Sequence, residues 1–175
     1  MKKTLIVFAL ISASSNALSE TPPPAYQRAA LARGVPPAVL YAVAKTESNF
    51  KIKIGVYPWP WTLNIKGKSS YFATRNEACN AALEGIQTHG KYGVDIGLTQ
   101  QNWGWVGSQY YDHPCDSLSP NDNLNTAAIV LRECFDKEGD WILAAGCYHR
   151  PAGGEPARRY REIFSKKYMQ VLGSN

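Results

Sequence analysis

Four cysteines constrain the fold of this chain more than any other feature: Cys79, Cys115, Cys134 and Cys147. They follow an N-terminal segment with the form of a secretory signal, in which Lys2 and Lys3 precede an apolar stretch and a group of small residues. An exported chain enters an oxidising compartment, and no two cysteines have the close spacing of zinc ligands, so two disulfides are expected rather than a zinc site. Three pairings are possible. Cys134 with Cys147 is slightly favoured because a short turn joins their predicted helices.

The leader and a short proline-rich segment precede a single predicted domain. Residues 1–19 are predicted to be a signal peptide cleaved after Ala17 or Ser19, and residues 20–25 an extended spacer. Residues 26–175 are then one domain, long enough to bury its own core. The apolar stretch of the leader is shorter than the roughly 20 residues that a bilayer requires. We therefore expect a periplasmic protein with no transmembrane segment after cleavage.

The charge balance limits the classes of partner. The formal net charge is +5 at pH 7, and two of the positive charges belong to Lys2 and Lys3 of the leader. The remaining excess is weak and scattered, which suits an anionic polymer and argues against nucleic acid.

Apolar periodicity predicts an α+β domain that is mostly α. Helices are predicted over residues 26–33, 36–48, 74–90, 123–138, 140–148 and 156–172. Thr74-Arg75-Asn76-Glu77 has the pattern of a capping box, Asn123 and Asp140 provide Asx starts for two helices, and Tyr160 is expected to face inward from the last helix. From Trp59 to Ile65 apolar and polar residues alternate, and Gly67 provides a turn, which predicts a small antiparallel β-hairpin. Residues 94–98 are consistent with another strand or with a turn.

Glu47 lies where an amphipathic helix would normally carry an apolar residue. It continues the stripe formed by Leu40, Val43 and Ala44 and lies at the helix C-terminus. Burial and the helix dipole both disfavour a carboxylate there and should raise its pKa, as a general acid near neutral pH requires. The alternative is a glutamate at the edge of a helix interface, exposed to water or paired with an arginine.

Two further segments follow Glu47-Ser48 at intervals of about fifty residues. They are Gly97-Leu98-Thr99-Gln100-Gln101-Asn102 and Ala145-Gly146-Cys147-Tyr148-His149-Arg150. The order and spacing resemble the catalytic domain of the soluble lytic transglycosylases, a lysozyme-like family whose pattern is E-S, then G-L-M-Q-[IV]-N, then A-Y-N-x-G. The resemblance spans residues 26–164. This chain departs from the pattern at four positions: Thr99, Gln101, Cys147 and His149.

The resemblance implies a lysozyme-like domain that cleaves the MurNAc-β-1,4-GlcNAc bond of peptidoglycan and forms 1,6-anhydroMurNAc. It implies that Glu47 is the catalytic acid and base, that no cofactor or metal is needed, and that the protein acts as a monomer on glycan strands. Substrate contacts are expected from Ser48, Gln100, Asn102, Tyr148, Trp59 and Trp61. The 58–64 insert and residues 148–151 resemble the branch associated with conjugation, pilus and type IV secretion systems, whose components are then candidate partners.

Two other functions remain open from the sequence. A hydrolytic muramidase on the same fold would need a second carboxylate, for which Asp95 is the candidate; otherwise Asp95 is a turn residue. A non-catalytic glycan-binding or assembly protein would keep the groove and lose activity through the altered motif positions. His149 is expected to line the groove or to be structural.

Overall fold

The computed structural model of the chain describes residues 19–174, which form seven α-helices and six short strands. The helices are α1 (Pro24–Leu31), α2 (Pro37–Glu47), α3 (Arg75–His89), α4 (Ser108–Tyr110), α5 (Pro120–Glu138), α6 (Trp141–His149) and α7 (Gly154–Leu172). The strands are β1 (Asn49–Ile52), β2 (Gly55–Pro58), β3 (Thr62–Ile65), β4 (Lys68–Tyr71), β5 (Val94–Ile96) and β6 (Gln101–Asn102). The predicted α+β, mostly helical class is confirmed.

The strands form two small antiparallel sheets. β3 and β4 are the predicted hairpin, and β3 also pairs with β5, which in turn pairs with β6. The sheet order is β4-β3-β5-β6, so residues 94–96 are a strand rather than a turn. β1 and β2 form a separate hairpin that the sequence did not predict. Its first strand begins two residues after Glu47.

Local sequence signals place several helix ends. Thr74 and Glu77 form the predicted capping box at the start of α3, each side chain accepting a hydrogen bond from the other residue's backbone N–H. Asp140 caps α6 by accepting from the N–H groups of Ile142 and Leu143. α5 begins at Pro120, three residues earlier than predicted, because proline suits the first helical position.

Helix α2 lies in the middle of the larger hydrophobic core. Every residue from Val39 to Ala44 is buried, and the helix packs against α1, α5 and α7. A second, smaller core lies between α3 and the four-stranded sheet and includes Leu63, Ala82 and Ile96. Because α2 is covered on all sides, the residue that ends it is held against its neighbours.

Two disulfides connect these elements. Cys134 and Cys147 join α5 to α6, and Cys79 and Cys115 join α3 to the 3₁₀ turn at Pro114–Leu118. The expectation of two bridges and the favoured Cys134–Cys147 pairing are both confirmed. Two disulfides are typical of a protein in an oxidising compartment.

The predicted spacer is part of the fold. Helix α1 begins at Pro24, and the N–H of Glu20 donates to the Val171 carbonyl of α7 at 2.9 Å. The Glu20 carboxylate accepts from Nζ of Lys45 at 2.5 and 2.6 Å. Pro24 and Ala25 thus belong to α1, and the segment before them packs against α2 and α7 through Glu20.

The predicted signal peptide lies almost wholly in residues 1–18, outside the described residues. Within residues 19–174, no helix combines the length and the apolar character needed to cross a bilayer.

Candidate active site

The three sequence motifs meet at the C-terminal end of α2. The Ser48 hydroxyl donates to the Leu98 carbonyl at 2.6 Å, which joins the end of α2 to the loop between β5 and β6. The Tyr148 hydroxyl donates to the Thr99 carbonyl at 2.8 Å, which joins the end of α6 to the same loop. Segments about fifty residues apart in the sequence thus surround Glu47.

Glu47 is the last residue of α2, and only 14% of its side chain is exposed. Burial is the main effect that raises its pKa to about 8, and the nearby Asp95 carboxylate adds to the rise. The Tyr160 hydroxyl acts in the opposite direction. At neutral pH the carboxyl is mostly protonated, so it can donate a proton, and the expected rise in pKa is confirmed.

Tyr160 and His149 lie against the acid. The Tyr160 hydroxyl is buried next to the Glu47 carboxyl, and within residues 19–174 it makes no hydrogen bond of ordinary geometry. The His149 ring stacks on the Tyr160 ring with centroids 4.3 Å apart, and its Nδ1 lies 3.9 Å from Oε1 of Glu47. Burial, followed by the charge of Arg150, lowers the pKa of His149. The acid therefore has a neutral imidazole and a phenol as neighbours at pH 7.

A pocket of about 450 Å³ opens beside these groups, between α6 and α7. Its lining consists of His149, Glu155, Pro156, Arg159, Tyr160 and Ile163. His149 thus lines this pocket, and its position in a substrate groove stays a prediction. Tyr160 was expected only to face inward from α7, and no local pattern indicated that its hydroxyl would reach Glu47.

Asp95 faces the same region from the sheet. It is half-buried on β5, and its Oδ1 accepts from Nδ2 of Asn102 at 2.8 Å. Burial raises the pKa of Asp95, while the Asn102 hydrogen bond favours the ionised form. Asp95 is thus a strand residue and not a turn residue.

The loop that carries the second motif is fixed by Asn123 of α5, which sequence reasoning missed. The Asn123 Oδ1 accepts from the backbone N–H and the hydroxyl of Thr99, at 3.0 and 2.8 Å. Its Nδ2 donates to the carbonyls of Ile96 and Ser117. Gly97 has a φ of 88°, and a Cβ there would lie 2.5 Å from Nδ2 of Asn123. Only glycine fits this position, which explains the glycine of the motif.

Two departures from the family pattern belong to the same polar network. Gln101 donates through Nε2 to the Asn123 carbonyl at 2.7 Å and to the Thr99 hydroxyl at 3.2 Å. The Tyr111 hydroxyl lies 3.0 Å from Oε1 of Gln101. Thr99 and Gln101 are both buried, one hydrogen bond joins their side chains and both bond to Asn123, so the two substitutions are mutually compatible.

Two of the predicted sugar ligands have structural roles. Ser48 is fully buried, and its hydroxyl holds the loop by donating to the Leu98 carbonyl. The Asn102 amide is used within the protein, because Nδ2 donates to Asp95 and to the Tyr92 carbonyl while Oδ1 accepts from the N–H groups of Gly104 and Trp105. The Asp95 carboxylate and the start of the short π-helix at Trp103–Gly107 both depend on this one side chain.

Gln100 and Tyr148 lie at the site but are also anchored. Gln100 has a φ of 48°, which is unfavourable for a residue with a Cβ, and its Nε2 donates to the carbonyls of Thr62 and Gly97. Tyr148 is half-buried, and its hydroxyl donates to Thr99. Strain of this kind is often found at functional sites. Their contact with substrate stays a prediction.

Trp59 and Trp61 lie on the connection between the two hairpins. The Trp59 indole N–H donates to the Phe72 carbonyl at 2.7 Å, and its ring packs edge-on against Trp61 at 5.8 Å. Both tryptophans are half-buried. Their stacking on saccharide rings stays a prediction.

Within residues 19–174, no group of three or more histidine, cysteine, aspartate and glutamate side chains is arranged to hold a metal ion. No protein-family profile matches the chain, and no curated protein is significantly similar to it.

Proposed function

We propose that this protein is a lytic transglycosylase with a lysozyme-like fold, which cleaves the MurNAc-β-1,4-GlcNAc bond of peptidoglycan. One observation carries the proposal: a buried carboxyl with a pKa near 8 lies where the three motifs of that family meet. Through the contacts of Ser48 and Tyr148 with the 97–100 loop, the three segments that carry the sequence resemblance lie next to each other.

In the first half of the reaction, Glu47 acts as the acid. Its proton passes to the glycosidic oxygen, and the bond between that oxygen and C1 of MurNAc breaks. The raised pKa keeps the proton available at neutral pH. Burial also keeps bulk water away from the carboxyl, which strengthens its interaction with the departing oxygen.

In the second half, Glu47 acts as the base. The carboxylate accepts the proton of the MurNAc C6 hydroxyl as that oxygen bonds to C1, which closes the 1,6-anhydro ring and restores the protonated acid. The Tyr160 hydroxyl can donate to the carboxylate during the interval in which it is ionised. No water is consumed, so one carboxyl is sufficient.

The proposed setting is the periplasm, and the proposed task is local opening of the cell wall for a secretion, pilus or conjugation apparatus. The two disulfides are compatible with an oxidising compartment. The link to an apparatus depends on the 58–64 insert and on the Tyr148-His149-Arg150-Pro151 sequence.

A hydrolytic muramidase is the second candidate, because Asp95 lies close enough to Glu47 to raise its pKa. Glycosidases with two carboxyl groups separate them by roughly 5 to 9 Å and use the second as nucleophile or base. Asp95 would have to be ionised in that role. Its Oδ1 is already held by Nδ2 of Asn102 within the protein, and this favours the mechanism with one carboxyl.

Mass spectrometry of digested sacculi distinguishes the candidates. We expect fragments ending in 1,6-anhydroMurNAc, each lighter by a single water molecule than the hydrolytic product. Fragments that end mainly in reducing MurNAc would instead establish a muramidase. Binding to sacculi without release of any fragment, by a protein shown to be folded, would favour a glycan-binding protein. Glu47→Gln is the control for contaminating activity.

A further inference from the structure

The positive charge of the chain is concentrated in its two β-hairpins. Residues 48–76 contain five of the 19 basic residues and none of the 14 acidic ones. Arg75 pairs with Asp116 at 3.8 Å, but the four lysines of the hairpins form no ion pair within residues 19–174. In the rest of the described chain acidic residues outnumber basic ones, so the hairpins are the part of the surface that attracts anions.

The β1–β2 hairpin also exposes aliphatic side chains at its tip. Ile54 is 79% exposed and Val56 is 49% exposed, although both are residues that are normally buried. Val56 is the cross-strand partner of Lys51, and Lys53 precedes Ile54 in the turn. We call Lys51, Lys53, Ile54 and Val56 the hairpin tip. It combines two exposed cations with two exposed aliphatic groups.

The hairpin stands apart from the rest of the sheet structure. β1 pairs only with β2 among the described strands, and the pair forms its own two-stranded sheet. Its base is held, since Phe50 stacks on Tyr71 with centroids 4.5 Å apart and the Tyr71 hydroxyl donates to the Asn49 carbonyl. These contacts fix the base of the hairpin while its tip is exposed, so the tip is accessible to a binding partner.

We propose that the hairpin tip docks on an anionic phospholipid membrane. The lysines would lie at the level of the anionic headgroups, while Ile54 and Val56 enter the boundary of the acyl chains. This inference is independent of the chemistry assigned to Glu47.

The chemistry of the tip favours a lipid surface over other anionic partners. A hydrated glycan binds mainly aromatic faces and polar groups and has no apolar interior for Ile54 and Val56 to enter, whereas acyl chains do. An acidic protein would need a much larger contact, since a specific interface covers about 800 Å² on each partner. A tip with two aliphatic side chains is far below that size, but it is sufficient for shallow insertion.

Docking in this way would also place the candidate acid near the membrane. Ile54 is seven residues beyond Glu47, so an extended chain separates them by roughly 25 Å at most. The site would then work on polymer close to the membrane surface.

Co-sedimentation of the chain from Glu20 onward with lipid vesicles tests the proposal. We expect binding to phosphatidylcholine vesicles that contain about 30% phosphatidylglycerol, weak binding to pure phosphatidylcholine, and a loss of binding between about 0.05 and 0.5 M NaCl. The double variant Lys51→Gln/Lys53→Gln should weaken binding about 30-fold. Ile54→Ser/Val56→Ser should weaken it about tenfold.

The matched control is Lys166→Gln/Lys167→Gln on α7, which removes the same charge from another surface and should retain nearly full binding. All variants change exposed or partly exposed positions, and circular dichroism confirms that they are folded. Equal losses in the control and in the tip variants would show a general charge effect and overturn the proposal. Absence of vesicle binding, or tip-dependent binding to purified sacculi in its place, would also overturn it.

Discussion

At the scale of single residues, the environment of Glu47 sets its chemistry. The carboxyl is buried at the end of an apolar helix, near another carboxylate on the sheet and beside the Tyr160 hydroxyl. Burial and Asp95 favour the protonated form, while Tyr160 favours the ionised form. A group that must first donate a proton and then accept one benefits from both influences.

Glu47→Gln should abolish cleavage of peptidoglycan while the fold is retained. The amide keeps the shape of the carboxyl but cannot transfer a proton, and loss of such a group typically costs about 100- to 10,000-fold in rate. Release of soluble muropeptides from sacculi measures the effect. A variant that retains activity within a few-fold of the wild type would exclude Glu47 as the acid.

The same variant should change how stability depends on pH. The folded pKa of Glu47, about 8, lies above its unfolded value of 4.5, so the stability from this group is complete below pH 4.5 and is lost as pH rises to 8. The unfolding free energy of Glu47→Gln minus that of the wild type should therefore increase by a few kcal/mol from about pH 4.5 to about pH 8.5. Urea denaturation at both pH values measures the difference. No change in that difference would show that the pKa is not raised.

Tyr160→Phe should raise the pKa of Glu47 further, because the hydroxyl favours the carboxylate. We expect a shift of about half a unit to one unit and a rate reduced about tenfold. Carbon-13 NMR titration of Glu47 gives the pKa without reference to activity, and Tyr168→Phe on the same helix is the control. If the pKa of Glu47 were unchanged, Tyr160 would have no influence on the acid.

Asp95→Asn provides the matching test of the second carboxyl. It should lower the pKa of Glu47 and leave transglycosylation largely intact, apart from any loss of stability. If a well-folded Asp95→Asn protein were as inactive as Glu47→Gln, the mechanism with one carboxyl would be wrong.

At the scale of elements, disulfides hold helices that carry the site. Cys134–Cys147 joins α5, which holds the motif loop through Asn123, to α6, which ends in Tyr148 and His149. Movement of either helix would displace groups around Glu47. The bridge therefore links stability to the geometry of the site.

Removal of this bridge by Cys134→Ala/Cys147→Ala should lower the unfolding free energy by about 3 kcal/mol, given the short loop that it closes. The Cys79–Cys115 bridge closes a longer loop, so the Cys79→Ala/Cys115→Ala variant should lose about 4 kcal/mol of unfolding free energy. Chemical denaturation measures both values. Thiol alkylation and intact-mass analysis of the exported protein should show no free thiol, and four labelled thiols would contradict the pairing.

At the scale of the whole molecule, the N-terminal segment connects α2 to the C-terminal helix α7. Glu20 contacts both α2, through Lys45, and α7, through the Val171 carbonyl. Lys45 is buried on the same helix as Glu47, and its ammonium group also lies 5.4 Å from the centre of the Tyr41 ring. Its charge needs a partner in that setting.

Glu20→Gln should therefore lower the unfolding free energy by about 1 to 3 kcal/mol, less than for a fully buried pair because 42% of the Glu20 side chain is exposed. Glu162→Gln, which breaks an exposed pair with Arg158, is the control and should cost less than about 1 kcal/mol. Urea denaturation compares the two variants. Equal losses of unfolding free energy in the two variants would show that Lys45 does not need Glu20 as a charge partner.

Features that depend on neighbouring residues could be predicted from the sequence alone. The capping box at Thr74, the Asp140 cap, the β3–β4 hairpin and the burial of Glu47 were all predicted, because each follows from spacing within a few turns of chain. The number of disulfides followed from the predicted export of a chain with four cysteines.

Contacts between groups that are distant in the sequence were visible only in the folded protein. The approach of Tyr160 to Glu47, the hold of Asn123 on the motif loop and the anchoring of Glu20 by Lys45 join residues from 24 to over 100 positions apart, and no local periodicity encodes such contacts. The structural roles of Ser48 and Asn102 also appeared only there. A polar side chain in a motif looks the same in sequence whether its hydrogen bonds go to a ligand or to the protein, and packing decides between the two.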